Sequence, residues 1–163
     1  MPFPIEQQQE KYWCWNAVSV SVEHFFNPAS QLTQDQFAVQ ALGVPLASAD
    51  EAAYLQDTLT VLGLLNEYLP DQYLTFASIQ QQLTAGLPVG VHIVWSDGEG
   101  SHYVVIVGYG VSPGGNPQVS VADPLLGPFN VTTWDYDSFV LAYDPQYAGS
   151  ADGAWVDTCL VQA

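Results

Sequence analysis

Basic residues are nearly absent from this sequence. Among its 163 residues, 17 are aspartate or glutamate and only one, Lys11, is lysine or arginine, which gives a formal net charge of −16. Proteins hold a phosphate backbone mainly with Lys and Arg, so this composition argues against nucleic acids and anionic membranes as partners. A strongly negative chain instead attracts cationic peptides and proteins.

Long apolar segments and a secretory leader are also missing. No run of about eighteen apolar residues, the length that spans a bilayer as a helix, occurs in the sequence. The N-terminal stretch MPFPIEQQQEK lacks the basic start and the apolar core of a signal peptide. We therefore expect a chain that does not span a membrane, and its cellular location stays unknown at this point.

Cysteine is scarce, with only Cys14 and Cys159 in the chain. The two could form a disulfide in an oxidising compartment, but Cys159 lies in the apolar run WVDTCLV, where cysteine is typically a small core residue. Cys14 stands between Trp13 and Trp15 at a predicted helix start. We favour two free thiols over a disulfide.

Apolar and aromatic residues are plentiful enough for a folded core. At 48% hydrophobic and 13% aromatic, the chain is expected to form a single domain over residues 1–163. Apolar residues at spacings of three and four predict helices in about residues 1–86, and short β-branched runs between Gly- and Pro-rich turns predict strands in about residues 87–163. This order predicts an α+β fold with the helices packed on one side of an antiparallel sheet or partial barrel.

The predicted elements follow from local stop signals and periodicity. The predicted helices begin at Cys14, where Asn27-Pro28 ends the run, and cover residues 33–42, 49–65 and 76–83. The predicted strands are VGVHIVW, HYVVIVGYG, PQVSVAD, GPFNVTTW and GAWVDTCLV, and DYDSFVLAY is a short helix or an irregular segment.

A cysteine at the first turn of a helix is a candidate nucleophile, because a helix N-terminus and a neighbouring imidazole both stabilise the thiolate. His24 lies too far along the same helix to reach Cys14, and His92 has the pattern of a buried strand histidine. His102 follows the turn DGEGS and opens a strand, an edge of the kind where active sites form. We therefore predict that His102 pairs with Cys14.

Two further groups would complete an acyl-transfer site. A carboxylate on the imidazole Nδ1 would fix its tautomer, and Asp123, at the end of the next predicted strand, is placed to supply it. An oxyanion would need hydrogen-bond donors, for which the Cys14 backbone N–H and an upstream glutamine side chain are candidates. The glutamine run leaves Gln7, Gln8 and Gln9 open for this role.

The order of these residues resembles the papain-like cysteine peptidases. The closer similarity is to a small bacterial branch that includes secreted effector peptidases, and it covers most of the chain, from Glu6 to about Asp137. The motifs that carry it are a glutamine followed by Cys-Trp (Gln8, Cys14-Trp15), Gly-Ser-His-Tyr with an apolar strand (Gly100 to Tyr109) and Val-Ala-Asp-Pro (Val121 to Pro124).

The resemblance implies a papain-like fold and a role for each matching residue. Cys14 would be the nucleophile, His102 the general base and later acid, Asp123 the orienting residue and Gln8 the oxyanion donor. Gln9 is the alternative donor, because the Gln-Glu pair of the bacterial branch aligns one residue nearer to Cys14. The family usually has a small residue after Cys-Trp, where this chain has Asn16.

The activity implied is that of a cysteine peptidase that hydrolyses peptide bonds through a thioester intermediate, without a metal or organic cofactor. We expect a monomer acting on peptide or protein substrates, and the acidic composition adds a preference for cationic ones. The alternatives are a related thiol acyltransferase or transpeptidase, a deamidase, or a catalytically inactive papain-like module that binds peptides. An effector of this kind would be secreted or delivered by a route that its own sequence does not show.

Overall fold

A computed structural model describes residues 1–128, 131–145 and 152–163. The helices are α1 (Cys14–Phe26), α2 (Gln34–Leu42), α3 (Leu55–Leu62), α4 (Phe76–Thr84) and α5 (Tyr136–Leu141), with a 3-10 turn at Leu46–Ser48. The strands are β1 (Leu65–Leu69), β2 (Val89–Trp95), β3 (Ser101–Val111), β4 (Pro117–Ala122), β5 (Val131–Asp135) and β6 (Gly153–Val161). The α+β prediction is confirmed, and none of the helices in these ranges is long and apolar enough to cross a membrane.

The six strands form one antiparallel sheet in the order β1-β6-β2-β3-β4-β5. The last strand, β6, lies between β1 and β2, so that Cys159 is opposite Tyr68 on one side and Gly90 on the other. β3 and β4 pair with Val105 opposite Ala122. Because these two strands run in opposite directions, the start of β3 and the end of β4 meet at one end of the sheet.

Helices cover both faces of the sheet. Tyr103 and Val105 on β3 pack in a core with α1, α2 and α3, whereas Val104 and Ile106 pack in a second core with α4 and α5. The expectation that the helices lie on one side only is therefore wrong. The signal for two covered faces is in the strand itself, because every position from Tyr103 to Val107 is apolar and strands buried on both faces lack polar alternation.

The helix that begins at Cys14 is buried along most of its length, including two serines. The hydroxyl groups of Ser19 and Ser21 donate to the main-chain carbonyls of Trp15 and Ala17, four residues earlier, at 2.8 and 2.6 Å. These bonds satisfy the hydroxyls inside the core. α1 can therefore be surrounded by protein and still present its first residue at the junction with the sheet.

α3 is shorter than the helix predicted for residues 49–65. The indole N–H groups of Trp13 and Trp15 donate to the main-chain carbonyls of Ala49 and Glu51, at 2.6 and 2.9 Å. These bonds hold the irregular segment before α3 against the start of α1. Gly63 ends α3 in the left-handed conformation (φ 74°), and the following residues form β1, which sequence analysis missed.

The other predicted elements agree closely with the structure. α2 begins with a capping box, in which Thr33 and Gln36 exchange hydrogen bonds, and it ends at Gly43. Strands β2, β3, β4 and β6 occupy the predicted segments, and DYDSFVLAY contains α5. In GPFNVTTW the strand begins at Val131, and residues 129–130 lie outside the described residues.

Candidate active site

His102 and Asp123 meet at the end of the sheet where β3 starts and β4 ends. His102 Nε2 lies 2.8 Å from Asp123 Oδ1, and the side chains are 4% and 0% exposed. The expected partnership is therefore present, but the carboxylate contacts Nε2 and not Nδ1 as predicted. The antiparallel register positions Asp123 beside the start of β3. Which ring nitrogen of His102 contacts the carboxylate depends on the rotamer of His102, and the local sequence does not determine that rotamer.

The carboxylate of Asp123 is held on both oxygens. Oδ1 also accepts the Leu125 N–H at 2.8 Å, across the turn that Pro124 begins, and Oδ2 accepts the hydroxyl of Tyr143 at 2.6 Å. Sequence reasoning missed Tyr143, since nothing in DYDSFVLAY distinguishes this tyrosine from an ordinary core aromatic. Its hydrogen bond can be recognised only once the chain is folded.

Cys14, the first residue of α1, approaches the same imidazole. Its side chain is half-buried and lies within hydrogen-bonding reach of His102. Burial lowers the pKa of His102, but the charge and hydrogen bond of Asp123, together with those of Cys14, outweigh burial and raise it to about 10. The three predicted residues Cys14, His102 and Asp123 are thus brought together, with the carboxylate on Nε2 of the imidazole.

The indole of Trp95 covers the imidazole. The rings of Trp95 and His102 are nearly parallel, at 15°, with centroids 5.9 Å apart. Trp95 is the last residue of β2, and its partly buried ring belongs to the same core as α4 and α5. The indole is thus one of the groups that pack around the imidazole, whose side chain is 4% exposed.

Gln8 connects the loop before Cys14 to the loop that follows Asp123. Its side-chain Nε2 donates to the main-chain carbonyls of Glu10 and Lys11, both at 3.0 Å, and its main-chain N–H donates to Pro124 O at 2.9 Å. The Oε1 atom is buried and has no hydrogen-bond partner among the described residues. The side chain of the alternative candidate, Gln9, is exposed.

The segment around Gln8 is held by a buried glutamine that sequence analysis did not identify. Gln34, at the start of α2, is 1% exposed. Its Nε2 donates to Glu6 Oε2 and Gln7 O at 2.9 Å, and its Oε1 accepts the Gln9 N–H at 3.2 Å. The main-chain carbonyl of Gln34 in turn accepts Asn16 Nδ2 at 2.9 Å, so Asn16 ties α1 to α2.

Comparison with known families agrees with this geometry. Residues 1–142 match the family described as papain-like cysteine protease AvrRpt2. The chain belongs to this family. It is therefore a cysteine peptidase, and the resemblance inferred from its motifs is confirmed.

A solved structure shows the same fold. The chain is similar to the bromelain protease from Ananas comosus, solved in complex with the E64 inhibitor, with a TM-score of 0.59 and 12% sequence identity over 97% of this chain and 92% of that one. At this identity the likeness shows the papain-like fold alone. No curated protein sequence matches the chain.

The two other histidines of this peptidase lie in separate ion pairs. His24 Nδ1 is 3.1 Å from Glu6 Oε1 near the end of α1, and His92 Nδ1 is 2.6 Å from Asp157 Oδ2 on the sheet. The ring of His92 also stacks on Tyr103, with centroids 4.6 Å apart. His24 and His92 thus contact Glu6 and Asp157 and are not the partners of Cys14, as expected from the sequence.

The second cysteine, Cys159, is a free thiol that is 3% exposed, and burial together with Asp157 and Asp57 raises its pKa to about 12. Cys14 is also a free thiol, so the structure has no disulfide between them. Within the described ranges, His, Cys, Asp and Glu side chains form no group of three that could hold a metal ion.

Proposed function

We propose that this peptidase hydrolyses peptide bonds through a Cys14–His102–Asp123 triad and a thioester intermediate. The observation that carries the proposal is the buried imidazole of His102, which is held by Asp123 on Nε2 and interacts with the side chain of Cys14. A buried imidazolium beside a cysteine at a helix N-terminus stabilises the thiolate, the form that attacks a carbonyl.

Each step uses a group that the geometry supplies. The Cys14 thiolate attacks the peptide carbonyl carbon, and the imidazolium of His102 protonates the leaving amine through Nδ1. Neutral His102 then removes a proton from water, which hydrolyses the thioester and restores the thiolate and the imidazolium. Asp123 keeps the ring oriented and stabilises its charged form throughout.

The oxyanion is stabilised in this proposal by the Cys14 N–H and by Gln8. As the first residue of α1, Cys14 has a backbone N–H without an acceptor within the helix. Gln8 Nε2 carries two hydrogens, and both acceptors found for it lie in the loop that leads into Cys14, so the oxyanion would share one of them. Gln8→Ala should lower kcat about 100-fold, the usual effect of removing one such donor, while Gln9→Ala, an exposed neighbour, should leave kcat within about twofold.

Peptide hydrolysis is tested with a peptide library read by mass spectrometry. Wild-type protein should cleave peptides, Cys14→Ser should not, and Cys159→Ser should match the wild type. E64, the inhibitor named in the bromelain complex, should add its mass to Cys14 only. Adding a primary amine to the reaction distinguishes hydrolysis from acyl transfer, because a transferase would give amide products and a hydrolase would give free carboxylates.

We further propose that substrates carry Lys or Arg near the scissile bond. The support is the net charge of −16 and the exposed acidic residues Asp50 and Glu51 near the start of α1. Asp50 Oδ1 accepts the Tyr12 N–H, and the main-chain carbonyl of Glu51 accepts Trp15 Nε1–H. Cleavage of basic peptides should weaken with rising salt and in Asp50→Asn, whose amide oxygen can still accept the Tyr12 N–H. The matched control is Asp137→Asn on α5, and a library profile dominated by neutral or acidic residues would contradict this proposal.

A further inference from the structure

Asp123 is a fully buried carboxylate whose second oxygen has one short hydrogen bond. The residue is 0% exposed, and Oδ2 accepts the Tyr143 hydroxyl at 2.6 Å. Tyr143 is itself 0% exposed. A hydrogen bond from a hydroxyl to a buried carboxylate is stronger than one between neutral groups, because a charge is involved and no water competes.

Tyr143 is fixed at its backbone and at its ring. Its main-chain N–H and C=O exchange hydrogen bonds with Gly153, at the start of β6, at 2.7 and 2.9 Å. Its ring packs on Phe139 and Trp134, with centroids 5.3 and 5.0 Å away. The hydroxyl therefore has little freedom to move away from Asp123.

The backbone pairing of Tyr143 with Gly153 also involves the chain next to Trp95, whose ring stacks on the imidazole. A Cβ placed on Gly153 would come within 2.7 Å of the Trp95 ring, so the chain at Gly153 passes directly beside the indole that covers His102. Only glycine permits this approach. Gly153, the first residue of β6, thus contacts both Tyr143, which binds the carboxylate, and Trp95, which stacks on the imidazole.

We propose that Tyr143 is a positioning residue of the active site, which holds the Asp123 carboxylate so that Oδ1 faces His102 Nε2. This inference rests on the proposed triad and adds a fourth residue to it. Tyr143 does not contact the thiol in any described interaction, and it acts through Asp123.

The hydroxyl has two physical effects on the carboxylate. It prevents rotation about the Cβ–Cγ bond, which would turn Oδ1 away from the imidazole, and it favours the charged form of Asp123, on which the imidazolium depends. Hydrogen bonds to charged groups have net values that correspond to rate effects of about 10- to 100-fold. Tyr143→Phe keeps the ring and removes only the hydroxyl.

The experiment compares Tyr143→Phe with wild type and with Tyr136→Phe. Tyr136, on the neighbouring α5, also donates its hydroxyl, but to Leu74 O at 2.8 Å, so it controls for the loss of a partly buried tyrosine hydrogen bond. Active sites are counted by E64 titration, so kcat per titrated site does not depend on how much protein folds. We expect kcat to fall about 10- to 100-fold in Tyr143→Phe with KM changed less than about twofold, and no change in Tyr136→Phe.

The pH dependence separates positioning from simple stabilisation. Without the hydroxyl, Asp123 takes up a proton more readily, so the acid limb of Cys14 alkylation should move to higher pH by about one unit. Wild-type kcat per titrated site together with an unmoved acid limb in Tyr143→Phe would overturn the proposal, even if the variant unfolded at a lower temperature.

A double-mutant cycle tests whether Tyr143 acts through Asp123. The alkylation rate of Cys14 at pH 6 is measured for Tyr143→Phe, Asp123→Ala and the double variant, because this readout needs no turnover. If the hydroxyl acts through the carboxylate, Tyr143→Phe has no further effect once Asp123 is removed, and additive losses would refute the inference. If wild-type protein cleaves no peptide and Cys14 is not activated, the proposed function fails; if both hold and Tyr143→Phe behaves as wild type, only this inference fails.

Discussion

Alkylation of Cys14 by iodoacetamide should be nearly independent of pH between about 6 and 8. The reason is the state of His102, whose pKa is lowered by burial but raised further by Asp123 and Cys14, to about 10. At that value about 99% of the imidazole is protonated at pH 8, so the positive charge that stabilises the Cys14 thiolate in the proposed mechanism is present across the range. The expected change in the second-order rate constant is less than about twofold.

An ordinary thiol would behave very differently in the same assay. With a pKa of about 8.5, its thiolate fraction rises from about 0.3% at pH 6 to about 24% at pH 8, so its alkylation rate rises roughly 75-fold. The slope against pH is the diagnostic quantity, because ion-paired thiolates are weaker intrinsic nucleophiles and absolute rates can coincide. A roughly 75-fold rise in the wild-type protein would refute the ion pair.

The variants assign the effect to its source. In Asp123→Ala the burial of His102 remains while the charge that opposes it is gone, so the pKa of His102 should fall and the steep slope of an ordinary thiol should return. His102→Ala should give the same slope. Cys159→Ser should leave the profile unchanged, because burial and nearby acids raise the pKa of Cys159 to about 12 and leave it unreactive at pH 8.

Three further predictions concern the surroundings of the site. Gln34→Ala should lower the free energy of unfolding in urea by about 2–4 kcal/mol, because it leaves several buried polar groups unpaired, whereas the exposed Gln81→Ala should change it by less than about 0.5 kcal/mol. His24→Ala removes a half-exposed ion pair and should cost less than about 1 kcal/mol without changing kcat. Burial raises the pKa of Asp157, but the hydrogen bonds from His92 and from a backbone N–H outweigh burial and lower the pKa overall. The ionised form of Asp157 therefore stabilises the fold above about pH 4, and this contribution is lost as the pH falls through the lower pKa of the folded state. Acid unfolding should consequently be less steep in Asp157→Asn than in the wild type.

The central strands could be predicted because their residue types suffice to define them. β2, β3 and β6 are short, β-branched and bounded by turns, and they lie inside the sheet with partners on both sides. β1 has the sequence LNEYL, which contains two exposed polar residues, and it is an edge strand whose conformation depends on pairing with β6. Its partner Cys159 is far away in sequence, so no local window contains the signal.

The residues of the site could be predicted only where a local pattern marks them. Cys14 begins a helix, His102 is the second residue of a strand and Asp123 precedes a proline, and each of these positions can be read from neighbouring residues. Tyr143 and Gln34 have no such mark. Tyr143 meets Asp123 across 20 positions, and Gln34 meets the segment before Cys14 across 25 to 28, so their roles follow from tertiary packing alone.

The near absence of Lys and Arg changes which charges can be paired inside this peptidase. In the part of the chain that the structure describes, the close pairs between a basic side chain and a carboxylate are His24–Glu6, His92–Asp157 and His102–Asp123, and the basic side chain of each is a histidine. Solvent screens these pairs unequally, since the side chains are 23% and 31% exposed in the first, 15% and 15% in the second, and 4% and 0% in the third. Attraction between charges grows as water is excluded, and a buried pair persists only when further hydrogen bonds satisfy it. His102–Asp123 has those bonds, from the Leu125 N–H and the Tyr143 hydroxyl, so the least exposed of the three pairs lies at the residue that we propose activates Cys14.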